Sequence, residues 1–176
     1  MKVYLKNILL IFFASQCIAA EEKILYLESN ESFINISDKN REAEAWATCS
    51  AVYQLTASFY KDEQPNQAKV LENQANGAKV AVLMSHFDLA NLRKETSVDR
   101  FRSTWKLSQL LAESMPETRL NMILADAERL NKQGSDIFIN KISATLKVCH
   151  DNLEGQQVYI DLWRDLYKSG LLSAEE

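Results

Sequence analysis

The stretch that decides the fold is "EAWATCSAVYQLTASFY", residues 44–60. Trp46, Cys49, Tyr53, Thr56 and Tyr60 recur at steps of three and four, with Val52 and Phe59 beside them. That period places them on one face of an α-helix, because 3.6 residues complete a turn. Ser37 and Asp38 precede the run, and either side chain can cap a helix by accepting a free backbone N–H. The spacing predicts a first helix from about Lys39 to Asp62.

Downstream the same period continues. Gln64-Pro65 restarts the chain, since proline suits the first position of a helix. A second helix is expected over about Pro65 to Arg93, with Ala68, Leu71, Ala75, Ala78 and Val82 on its stripe. Its middle, "AKVAVLM", is apolar nearly all round and reads as a well-covered, central helix. Ser97 opens a third helix carrying Phe101, Trp105, Leu111 and Met115. Pro116 either kinks that helix or starts a fourth, whose stripe is Leu120, Ile123, Leu124, Ala127 and Leu130. Gly134-Ser135 ends one helix and caps the next, in which Phe138, Ile142, Leu146, Cys149 and Leu153 are spaced four, four, three and four apart. Gly155 reads as a break before "QQVYIDLWRDLYKSG", and Gly170 as a C-terminal cap. Gly77 falls inside the second helix, where it marks either close helix packing or a bend. The expected fold is all-α, an antiparallel bundle of five or six helices in residues 37–176. No repeat at a solenoid period supports a helical array.

The beginning of the chain has another character. In "MKVYLKNILLIFFASQCIAA", two lysines precede a short apolar run and small residues, the layout of a cleaved secretory signal over residues 1–20. The run is too short to span a bilayer, which takes roughly 20 apolar residues. Residues 21–36, with no sustained period, read as an irregular arm. Signal removal takes Lys2 and Lys6 and leaves 18 basic against 24 acidic residues, a net charge of −6 where the full chain has −4. That balance argues against nucleic acid and against electrostatic docking on anionic lipid. No stable membrane insertion is expected after cleavage, and a periplasmic or secreted location is.

Signal removal also leaves two of three cysteines, Cys49 and Cys149, in a chain bound for a compartment where disulfides persist. Both lie on apolar helix faces. The expectation is a disulfide between the first and a late helix, closing a 100-residue loop. The rival chemistries lack partners. A nucleophilic cysteine needs an activating base, and His150, adjacent to Cys149, points about 100° away on a helix. Two cysteines and two histidines without paired spacing make no zinc site. His86 reads as a hydrogen-bonded helical histidine and His150 as a surface one.

No phosphate loop, nucleophile elbow, H-E-x-x-H or E-x-x-H pair occurs, so no catalytic residue, metal ligand or cofactor is assigned. Asp126, Glu128, Asp161 and Asp165 read as solvated helix faces. Trp46, Tyr53, Phe101 and Trp105 read as core. In the C-terminal segment, Tyr159, Trp163 and Tyr167 are the candidate contacts for a protein partner, since Trp and Tyr dominate binding hot spots. The expected function is that of an exported non-enzymatic binding or accessory protein of the cell envelope, of which an inhibitor or immunity protein is one form. The alternatives are an envelope-polymer hydrolase using helix carboxylates, or a carrier of a small apolar ligand in a cavity of roughly 300 Å³ or more.

Overall fold

A computed structural model describes residues 26–27, 31–91, 98–131, 135–170 and 172. The expected signal peptide and residues 21–25 and 28–30 of the arm lie outside the described residues, as do the expected start at Ser97 and the stop at Gly134. The described chain is all-helical. A 3₁₀ turn, η1 (Phe33–Asn35), precedes α1 (Lys39–Tyr60), α2 (Pro65–Asn91), α3 (Val98–Asn131), α4 (Ser135–Asp151) and α5 (Leu153–Lys168).

Asp38 caps α1 as its position suggests, its side chain accepting from the N–H groups of Asn40 and Arg41 at 3.0 and 3.5 Å. Residues 61–64 then link α1 to α2, and the two helices pack along much of their length. The middle of α2 is covered as expected, with Ala81 to Ser85 all buried. The helix at the centre of the bundle is nevertheless α1, which packs on α2, α3, α4 and η1. Residues 46–53 are buried without interruption. Small side chains let neighbours close on every side, and the polar ones among them bond locally. Thr48 and Thr56 donate to the carbonyls of Glu44 and Val52 four residues back, at 2.8 and 2.7 Å.

Two boundaries differ from the sequence reading. Of the two expectations for Pro116, the start of a fourth helix fails: the residue is buried inside a single 34-residue helix. Proline removes only one N–H from the helical ladder, and burial of the flanking stripes stabilises continuation more than that loss opposes it. The bundle therefore has five α-helices among the described residues. The break after α4 falls at Asn152, not Gly155. The Asn152 amide donates to the Val148 carbonyl at 2.9 Å, and its oxygen accepts the Phe33 N–H at 2.8 Å. One side chain thus turns the chain and fastens η1 over the turn.

Gly155 serves packing. A Cβ there would meet Ile34 at 3.0 Å and Trp46 at 3.7 Å, so the missing side chain lets η1 and α1 seat against α5. Gly77 is the same device at the α2–α5 contact, where a Cβ would lie 2.1 Å from Gln156 and 3.1 Å from Ile160. Of the two expectations for Gly77, close packing holds. Gly170, at φ 77°, ends α5 in the left-handed conformation that glycine adopts without cost.

Candidate functional site: a cleft between α1, α3 and α4

The Cys49–Cys149 bridge fixes α1 against α4. Its Cα atoms are 5.5 Å apart and both residues are buried. The sulfurs are sealed in the main core, so the bridge acts as scaffold. Beside it Tyr53 is 2 % exposed, and its hydroxyl has no hydrogen-bond partner among the described residues. Burial holds that hydroxyl well above the usual tyrosine range.

A second buried feature lies at the start of α1. Glu42 is fully buried, yet both carboxylate oxygens are satisfied. One accepts from the Tyr159 hydroxyl and from the Trp46 indole N–H at 3.3 Å. The other accepts from the Lys39 ammonium at 2.6 Å. Phe33 and Tyr159 meet Trp46 edge-on at 4.8 and 6.3 Å, so the cluster joins η1, α1 and α5. Burial, reinforced by the Glu42 carboxylate, pushes the Tyr159 hydroxyl up to about 12. Burial alone would lower the Lys39 ammonium, but its hydrogen bond and charge pairing with Glu42 prevail and raise it. The cluster is buried and its carboxylate fully paired, and it ties η1 and α5 to the start of α1.

The accessible concavity lies elsewhere. A cleft of about 290 Å³ is lined by Tyr26, Thr48, Arg119, Met122, Ile123, Asp126 and Lys141. A second hollow of about 140 Å³ shares Tyr26, Thr48 and Arg119, and extends over Leu27, Phe33, Ile36 and Ala45. Local sequence explains the arrangement. On α3, Met122, Ile123 and Asp126 follow Arg119 by three, four and seven residues and so share its face, and Lys141 comes from the first turns of α4. Tyr26 is hung between helices, its N–H donating to the Thr145 hydroxyl at 3.2 Å and its own hydroxyl to Asp126 at 2.9 Å.

Asp126 is the electrostatic centre of this cleft. One oxygen accepts two bonds from Arg129, at 2.6 and 3.1 Å. The other accepts from Tyr26 and from Lys141 at 3.1 Å. Burial would raise this carboxyl, but the bonds from Arg129, Lys141 and Tyr26 outweigh it and hold Asp126 below the usual carboxylate range. Lys141 also lies over the Tyr26 ring, 4.9 Å from its centroid. Arg119 pairs with Glu44 across the α1–α3 groove at 2.8 Å. The Glu44 side chain is 53 % exposed, so that pair is solvated and weak.

The three candidate contacts of α5 separate. Tyr159 is 7 % exposed and is spent on Glu42 and Trp46. Trp163 is half-buried and stacks on Tyr167 at 6.0 Å, while Tyr167 is 59 % exposed. His86 is half-buried, its Nε2 3.0 Å from the Met115 sulfur, and burial lowers its basicity. His150 is exposed. Among the described residues no group of three or more His, Cys, Asp or Glu side chains is placed to hold a metal ion. No described helix is long and apolar enough to cross a membrane. Sequence reasoning took Asp126 as one solvated carboxylate among many and passed over Arg119 and Glu42. The only signal for the cleft was the spacing of Arg119, Ile123 and Asp126 on one face, which an ordinary amphipathic helix shares. No protein-family model matches the chain, and no curated protein or solved structure matches it.

Proposed function

We propose that this chain is an exported, non-enzymatic binding protein of the cell envelope, periplasmic or secreted, that holds a small ligand in the cleft between α1, α3 and α4. The observation that carries the reading is the cleft itself, whose central carboxylate, Asp126, is engaged by donors from Tyr26, Arg129 and Lys141 and so does not serve as a proton-donating acid. A glycosidase-type or other general-acid mechanism needs a carboxyl whose pKa is raised so that it retains a proton to give. Asp126 is shifted the other way, with four donors on its two oxygens. A carboxylate so engaged organises cations and holds a wall in place. The cleft, at about 290 Å³ with Met122 and Ile123 in its lining, has the size and mixed lining of a small-molecule site. A buried disulfide is compatible with an oxidising compartment.

Native mass spectrometry of the chain recovered from its host's envelope tests this. The expected result is a small-molecule adduct that is lost on denaturation. Absence of an adduct, together with release of soluble fragments from envelope polymer, refutes it in favour of a hydrolase.

A second reading, an accessory protein that docks a protein partner, is favoured by one observation. The Trp163–Tyr167 stack leaves Tyr167 59 % exposed in the last turn of α5. With a net charge of −4, the partner of such an inhibitor or immunity protein is basic, and the complex weakens with salt. A Tyr167→Ala change that leaves affinity capture of that partner unaltered refutes this version.

A further inference from the structure

We propose that His86 and Met115 together bind a soft monovalent metal ion, Cu(I), at the contact between α2 and α3. Neither residue lines the cleft or its hollow, so this site stands apart from the small-ligand reading. Three observations converge on that chemistry.

The first is the meeting of two donors. His86 comes from α2 and Met115 from α3, and the His86 Nε2 lies 3.0 Å from the Met115 sulfur. The same two helices are joined by the Lys79–Glu113 pair at 2.8 Å. Beside His86, the Phe87 ring meets Phe101 and Trp105 edge-on at 5.2 and 5.1 Å. Helix packing therefore holds the imidazole and the thioether together.

The second is that the pair is not committed elsewhere. Among the described residues, the Met115 sulfur is the one hydrogen-bond partner of the His86 ring. A thioether is a weak acceptor, so an ion that replaces this bond displaces little. Both side chains are half-buried, which leaves solvent a path to them. Burial lowers the basicity of His86, and a neutral imidazole keeps the lone pair that a metal ion needs.

The third is the kind of donor. Thioethers are soft and select Cu(I), imidazole also suits copper, and magnesium, calcium and manganese take oxygen donors instead. A structural zinc site takes four donors from Cys, His and carboxylates, and no group of three or more such side chains is placed for it among the described residues. Zinc, a d10 ion like Cu(I), bonds nitrogen at about 2.0 Å and sulfur at about 2.3 Å. With bonds of that length, an ion reaches both donors once their contact widens by roughly 1 Å. Met115 is unbranched, with three rotatable side-chain bonds, and gives that distance by a rotamer change. Two protein donors leave the ion open to a further ligand, so it is held exchangeably. The net charge of −4 favours a cation over an anion at such a site.

Silver(I) is the probe, because it shares the softness of Cu(I) and needs no reductant that would open the Cys49–Cys149 bridge. The oxidised full chain, labelled with ¹³C at its methionine methyl groups, is titrated with silver nitrate in chloride-free buffer and read by NMR. Native mass spectrometry counts the ions. One silver ion per chain is expected, with the Met115 methyl signal shifted and those of Met84 and Met122 in place. Met115→Leu and His86→Gln should each weaken binding about tenfold or more, since changes outside the donor set alone cost 10–100-fold. Met122→Leu and His150→Gln should leave it unchanged. Leucine conserves the volume of methionine, and near-UV circular dichroism checks the packing of each variant; where one loses its packing, the methyl shift of the parent decides. Cu(I) kept reduced by ascorbate should compete with silver for the same site. A Met115 methyl that does not move overturns the proposal, whether no silver binds or silver shifts Met122 or Met84 instead. So does a folded Met115→Leu or His86→Gln variant that binds silver as the parent does. Zinc(II) binding at Met115 as tightly as silver overturns the soft-ion assignment.

Discussion

Removing the Cys49–Cys149 bridge is the perturbation whose size follows most directly from the geometry. The bond closes a loop over a sequence separation of 100 residues. In the chain-entropy treatment, a loop of that length restricts the unfolded ensemble by about 4.7 kcal/mol. Denatured chains retain some compactness, which reduces the delivered effect. Cys49 and Cys149 are 0 % and 1 % exposed, so Cys→Ala at both positions also leaves two small voids, each costing up to roughly 1 kcal/mol. Together these set an expected loss of about 3–5 kcal/mol in the double variant. That is a large share of the ~5–15 kcal/mol by which domains are stable.

Urea titration followed by far-UV circular dichroism measures the difference. The m-value should rise as well, because an uncrosslinked unfolded chain exposes more surface. Each single variant should lose nearly as much as the double, since one alanine already abolishes the bond. In the oxidised parent, neither Cys49 nor Cys149 should alkylate even in denaturant. A double variant within about 1 kcal/mol of the parent, with an unchanged m-value, would refute the view that the bridge acts on the unfolded state.

Four further outcomes are expected. Tyr159→Phe keeps the ring on Trp46 but removes a hydroxyl from the buried Glu42 carboxylate; it should cost about 1.5–3 kcal/mol in urea titration, the range for a hydrogen bond to a charged group. Gly77→Ala gains about 1 kcal/mol of helix propensity, yet its Cβ would sit 2.1 Å from the amide of Gln156, which is only 5 % exposed and flanked by Ile160. Overpacking of ~1–3 kcal/mol should win, giving net destabilisation, and adding Gln156→Ala should reverse it; a stabilised Gly77→Ala single variant would show that Gln156 moves freely. Burial depresses His86 in the folded state, so the unfolded chain binds its proton first, and stability present above pH ~6.5 should fall as the pH drops below that value. Asp126, also depressed, should contribute in full above about pH 4 and lose its contribution as the pH falls further. Urea midpoints from pH 7 to 3 should show both declines, with His86→Gln removing the first and Asp126→Asn the second.

What the sequence disclosed follows from which interactions are local. The start of α1 was legible because Asp38 caps it within three residues, and that of α2 because Pro65 can occupy a first position. The bridge was legible because, with Cys17 inside the expected signal, the two cysteines on apolar faces leave one pairing. Centrality of α1 was not, since its polar Thr48 and Thr56 disguise a buried helix: each bonds a carbonyl of its own helix, and such bonds leave no mark in a hydrophobic period. The break at Asn152 was hidden for a related reason. An asparagine stops a helix there because its oxygen is claimed by the N–H of Phe33, 119 residues away. Glycine at 155 looked like the stronger stop, but its role is to clear space for Ile34 and Trp46. The cleft was least legible of all, because Tyr26, Thr48, Arg119, Asp126 and Lys141 meet only after the bundle has formed.

The same long-range contacts tie the cleft to the segment before α1. Leu27, Phe33 and Ile36 form one side of the smaller hollow, and Tyr26 closes the larger one. None of these residues belongs to a long helix; Tyr26 is bonded to Thr145 and Asp126, Phe33 to Asn152 and edge-on to Trp46, and Leu27, Phe33 and Ile36 pack in the main core. All four anchors sit on the bundle that the disulfide and the Glu42 cluster hold together. The helices supply a rigid half of the site, and the N-terminal segment supplies a half whose order derives from it.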